Sequence, residues 1–119
     1  MGNVEDLNVW QNAVGIAKDI YICTGKNGKI SKDFGLRDQI QRSAVSIASN
    51  IAEGCNRGSD KDFVRFLYIA KGSCAELKTQ LLIANEINYI SKDEYIGFNS
   101  KLDEIHKMLH GLIGNLSRN

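Results

Sequence analysis

Two histidines, three cysteines and a few isolated carboxylates are the residues of this 119-residue chain that could carry out acid–base, nucleophilic or metal chemistry. His106 and His110 stand one helical turn apart, as the histidines of a zinc-binding H-E-x-x-H do. The residues between them are Lys107, Met108 and Leu109, so the catalytic Glu is absent and no third ligand follows. Cys23, Cys55 and Cys74 are odd in number and lack C-x-x-C spacing, which fits a reducing compartment better than a disulfide framework. A nucleophilic Cys needs a base beside it, and the sequence places none there. Glu53 lies near Asn50, Asn56 and Arg57 but has no second carboxylate spaced for general acid–base work. Its expected role is hydrogen bonding across the hairpin turn between two helices. The stretch Gly25-Lys26-Asn27-Gly28-Lys29 lacks the spacing and the preceding strand of a phosphate-binding loop. No enzyme, cofactor, metal site or small-molecule substrate is expected.

The remaining chemistry is charge. The formal net charge is only +1, but Lys26, Lys29, Lys32, Arg37 and Arg42 face only Asp33 and Asp38 within residues 25–42. Phosphate contacts need such clustered cations, so these five are nucleic-acid candidates. Arg57, Lys61 and Arg65 form a second candidate group. Lys71 and Lys78 share a helix face, roughly 100° or more from Lys61 and Arg65.

Four stretches with apolar residues at three- and four-residue steps must position these groups. The first predicted helix runs from about Val4 to Cys23, with Leu7, Trp10, Val14, Ala17 and Tyr21 inward and Val9, Ala13, Ile16 and Ile20 beside them. After the glycine-containing loop, Asp33 caps a second helix from about Phe34 to Ala52, with Leu36, Ile40, Ala44, Ile47 and Ile51 inward. Glu53-Gly54 is expected to close it, Gly54 taking the left-handed C′ position. Ser59-Asp60-Lys61-Asp62 resembles a capping box and opens the third helix, about Asp60 to Asn88. Its inward residues are Phe63, Leu67, Ala70, Cys74, Leu77, Leu81 and Ala84. Ser91-Lys92-Asp93-Glu94 is a full capping box for the fourth, which turns Tyr95, Phe98, Leu102, Ile105, Leu109, Leu112 and Leu116 inward. The chain contains no Pro to interrupt any of them. The expected fold is a single all-α domain over residues 1–119, an antiparallel up-down four-helix bundle.

Two features exceed what a monomeric bundle needs. From Ser43 to Ala52 ten residues pass without a charge, and Gln39, Ser43, Ser46, Asn50 and Glu53 share an arc of about 80°. On the third helix Val64, Tyr68, Ala75 and Leu82 form a second apolar stripe about 120° from the first. Uncharged outer faces point to a partner subunit, so a homo-oligomer is expected, with Ser43, Ser46, Asn50, Val64, Tyr68, Ala75 and Leu82 in its interface. No apolar run approaches the roughly 20 residues that span a bilayer. The N-terminal stretch has neither the basic nor the apolar region of a signal peptide, so a cytoplasmic location without membrane association is expected.

The segments DLNVWQNAVGIAKDIY, FGLRDQIQRSAVSIASNIAEGCNRGSDKDFVRFLYIAKGSCAELKTQLLIA and INYI resemble bacterial four-helix-bundle proteins encoded in intervening sequences of large-subunit ribosomal RNA genes. These are often labelled ribosomal-protein-like, and the accessory protein of diversity-generating retroelements is a relative. The resemblance covers residues 6 to about 90. Asn50, Glu53, Gly54, Arg57 and Ser59 match the family's helix-turn-helix motif, and Gln80 and Leu81 its third-helix T-Q-L. Ala48 stands where many members carry Pro, Gln41 replaces one Arg of a usual pair, and the first loop lacks the common Phe-Pro. The resemblance implies a homopentamer without enzymatic activity, and the retroelement relative binds nucleic acid through a basic surface. A non-catalytic oligomer associated with RNA is therefore the leading functional expectation. The alternative is a protein-interaction scaffold without nucleic-acid binding.

Overall fold

The computed structural model describes residues 2–26 and 28–118; Asn27, in the middle of the expected first loop, lies outside the described residues. A 3-10 turn at Val4–Asp6 precedes α1 (Asn8–Gly25), α2 (Lys29–Lys32), α3 (Phe34–Cys55), α4 (Asp60–Glu86) and α5 (Lys92–Ser117). There is no strand among the described residues, so the fold is all-α. The four long helices share one core within a body of 47 × 20 × 19 Å.

Helix starts follow the expected chemistry. Asp33 accepts from the Leu36 N–H at 3.1 Å and receives the Tyr89 hydroxyl at 3.2 Å. At Ser91 the cap is reciprocal: its hydroxyl accepts from Glu94 N–H, and the Glu94 carboxylate accepts from Ser91 N–H. The box expected at Ser59 is only half made. Ser59 accepts from Asp62 N–H, but the shorter Asp62 carboxylate lies 3.8 Å from Arg65 instead. Asn88, in the left-handed region at φ 62, turns the chain out of α4, and Tyr89 N–H donates to the Ala84 carbonyl. The first connection differs from the expected loop, because Lys29–Lys32 form one helical turn that buries Ile30.

Contacts between helices settle their neighbours. Ser46 meets Ser73 and Gly54 meets Phe63 and Phe66, so α3 and α4 run side by side in opposite directions. Asp19 pairs with Lys101, and the Asn12 amide meets the Met108 sulfur, which sets α1 against α5 in the same way. Gln41 donates to Thr24, tying α3 to the end of α1.

The inward residues expected of α3, α4 and α5 are buried or packed against the core, joined by Phe66 and Ile113. The first helix requires correction. Its core stripe is Val9, Ala13, Ile16 and Ile20, whereas Val14 and Tyr21 are exposed, and Leu7, Trp10 and Ala17 sit at the rim. The two stripes lie about 100° apart on one helix. α1 touches both α3 and α5, so the compact aliphatic stripe between those contacts goes in, and Tyr21 keeps its hydroxyl in water.

The second correction concerns Gly54. α3 continues through it to Cys55, so Gly54 is a buried helical residue and not a left-handed cap. A Cβ there would stand 2.7 Å from Phe66 Cβ and 3.0 Å from Phe63 Cδ1. Gly54 is needed because α4 crosses α3 closely at that level. The left-handed position falls at Gly58, φ 91.

Candidate nucleic-acid and assembly surfaces

The matched motif forms a braced corner between α3 and α4. Asn50 donates to the Ser46 carbonyl and hydroxyl, at 2.8 and 3.0 Å. Glu53 pairs with Arg57 at 2.9 Å. Arg57 and Arg65 both lie over the Phe66 ring, at 4.9 and 4.6 Å from its centroid. Each guanidinium therefore has a carboxylate and a ring beside it, which restrains it as a phosphate ligand. Lys61, on the first turn of α4, is exposed.

The eight nucleic-acid candidates do not form one surface. Lys26, Lys29, Lys32 and Arg37 gather where α1 ends, α2 turns and α3 begins; Arg57, Lys61 and Arg65 stand at the far end of α3. That helix has 22 residues, about 33 Å at 1.5 Å per residue. Arg37 donates to the Ser31 carbonyl, pairs with Asp38 at 3.3 Å and covers the Phe34 ring. Lys26, Lys29, Lys32 and Arg42 are exposed.

One cationic group escaped the sequence reading as a unit. Lys78 of α4 pairs with Asp103 of α5. The hairpin is antiparallel, so Lys71, seven residues before Lys78, comes level with His110, seven after Asp103. His106 and Lys107 fall between, and His106, Lys107 and His110 are exposed. Burial lowers the His106 pKa, and Lys71, Lys78 and His110 lower it further against Asp103, which raises it. Lys71 also lies 5.5 Å from the Tyr68 ring centroid. The available clue was a seven-residue spacing repeated on both arms of one hairpin.

The thiols are placed for structure. Cys23 donates to Glu94 at 3.3 Å, and burial followed by that hydrogen bond pushes its pKa up to about 12. Burial takes Cys74 to about 11. Both are protonated near neutral pH and poor nucleophiles. Among the described residues no three His, Cys, Asp or Glu side chains converge as a metal site would need.

The expected assembly residues fall into three settings. Ser43 is buried within the monomer, and Ser46 bonds Ser73 at 2.8 Å, so this part of the neutral run is occupied by the α3–α4 contact. Val64 packs against the core. Tyr68, Ala75 and Leu82 face solvent together with Ile69, Gly72, Glu76, Thr79 and Ile83; these are all the exposed residues between Phe66 and Ala84. Glu76 is the single charge among them. At its edge Gln80 holds a buried side-chain oxygen, Oε1, that has no hydrogen-bond partner among the described residues.

A family model described as 23S rRNA-intervening sequence protein matches residues 5–111. The chain is similar to a crystal structure of a protein of unknown function from the S23 ribosomal protein family of Bacteroides thetaiotaomicron. Sequence identity is 29%, the TM-score is 0.83, and the match covers 89% of this chain and 95% of that one. No curated protein matches the chain.

Proposed function

The chain belongs to the 23S rRNA-intervening sequence protein family, and on that premise we propose that it is a non-catalytic, homo-oligomeric up-down four-helix bundle that binds RNA. The observation carrying the assembly is the outer face of α4. Tyr68, Ile69, Leu82 and Ile83 are 43–56% exposed there, and Gly72, Ala75 and Thr79 leave room between them for close approach of another helix. Contiguous apolar surface of this kind on a small domain marks an interaction site.

The family description ties these proteins to 23S ribosomal RNA, and that RNA is the favoured ligand class. The basic end at Lys26, Lys29 and Lys32 is its contact. A closed ring would repeat this end once per subunit and sum many modest phosphate contacts. The family resemblance favours five subunits.

Light scattering coupled to size-exclusion chromatography at micromolar concentration is expected to return a multimer; a monomer mass overturns the assembly. Titration with a 23S rRNA fragment at about 50 and 200 mM salt is expected to show affinity falling steeply with salt. Lys26→Glu, Lys29→Glu and Lys32→Glu together should keep the fold and weaken that binding strongly. No RNA binding by the wild type even at low salt leaves the protein-scaffold reading in its place.

A further inference from the structure

We propose that the α4–α5 flank is a pH-gated RNA grip in which Lys71 and Lys107 hold backbone phosphates and His106, beside His110, adds charge to the same strip in acid. The identity of the ligand rests on the RNA reading above; the strip and its gating do not involve the Lys26–Lys32 end. The strip's carboxylate, Asp103, is already tied to Lys78, which also holds its pKa down.

The gating follows from where the titratable side chains are. The chain has two histidines, and both stand in this strip. Between pH 7.5 and 5.5 ordinary carboxylates stay ionised and lysines and arginines stay protonated. Histidine is the side-chain type that gains charge over that range. From α4, Lys71 and Lys78 face His106; on α5 itself, Asp103, Lys107 and His110 surround it. Without a ligand the cations discourage its protonation. A phosphate among them reverses that balance, so binding takes up a proton and tightens as pH falls.

The test is fluorescence anisotropy with a labelled 20-nucleotide poly(U) RNA at 50 mM salt and pH 7.5, 6.5 and 5.5. Wild type should bind about tenfold more tightly at pH 5.5, the gain of about one phosphate contact at this ionic strength. His106→Gln with His110→Gln should match wild type at pH 7.5 and lose the pH response. Lys107→Gln should weaken binding at every pH. The Lys26, Lys29 and Lys32 charge reversal should lower affinity overall, yet any residual binding keeps its pH response. A measurement on wild type alone gives the second check: the salt slope should be steeper at pH 5.5 than at 7.5 by about 1. RNA binding that is flat with pH, or a pH response that survives loss of both histidines, overturns this inference and leaves the RNA reading standing. Absence of RNA binding at every pH overturns both.

Discussion

Helices α4 and α5 are nearly equal in length, 27 and 26 residues, and each turns one side to solvent. The middle of α4 shows Tyr68, Ile69, Gly72, Ala75, Thr79, Leu82 and Ile83 there, with Glu76 alone charged. The matching part of α5 shows Lys101, Asp103, Glu104 and Lys107 with the two histidines. Their inner faces are alike: Leu67, Cys74 and Leu77 on one, Leu102, Ile105 and Leu109 on the other, all buried. A core asks the same of both helices, so the difference outside has another cause. The outer face of α5 is charged, whereas that of α4 is apolar, as the proposed assembly requires of it.

Charge placed on each outer face gives the largest expected effect. Tyr68→Glu with Leu82→Glu should reduce the assembly to monomers by light scattering while the helical circular dichroism persists. Ser100→Glu with Asn115→Glu, both on the exposed side of α5, should leave the mass unchanged. Equal behaviour of the two pairs would erase the contrast.

The inner side of α4 is tested at Gly54. Gly54→Val forces a branched side chain against Phe63 and Phe66 and should cost about 3 kcal/mol, measured by thermal or denaturant unfolding. Gly72→Ala, where a Cβ meets nothing within 4 Å in the monomer, should change unfolding of a monomeric variant by less than about 1 kcal/mol.

The two N-termini sharpen the comparison at smaller scale. Ser91→Ala and Ser59→Ala should each lower stability by about 1 kcal/mol. The α5 loss should be the larger, because there Glu94 reciprocates and in the Ser59 cap Asp62 does not. Urea unfolding of the two variants side by side decides the order.

The smallest effect is electrostatic. The His106 pKa is lowered in the fold, so the unfolded chain binds that proton more readily. The contribution is complete above the ordinary value of 6.5 and is lost as pH falls through and below it. The melting temperature should therefore fall slightly from pH 7.5 to 5.5, and His106→Gln should flatten that slope.

Much of this fold was legible residue by residue. Asp33, Ser59 and Ser91 announce their helices because a cap needs only a short polar side chain and the next few N–H groups. The stripes of α3, α4 and α5 are legible because 3.6-residue periodicity is a local property. On α1 two adjacent stripes were both apolar enough, and only the positions of α3 and α5 selected between them. Gly54 shows the same limit. A glycine after a long helix reads as its end, and the reason for this one lies on another helix, in the two phenylalanines that leave no room for a Cβ.

The candidate surfaces divide along the same line. Composition and spacing determined that the chain is all-α and that α4 has more apolar surface than its core needs. Those conclusions depend on residue type and helical repeat alone. Tertiary structure decided that the expected basic residues stand at opposite ends of α3, that Ser43 and Ser46 are occupied within the monomer, and that Lys71, Lys78, His106, Lys107 and His110 form one strip. Electrostatic fields and interfaces depend on distance in space, and residues far apart in the chain become neighbours only when the α4–α5 hairpin sets their register.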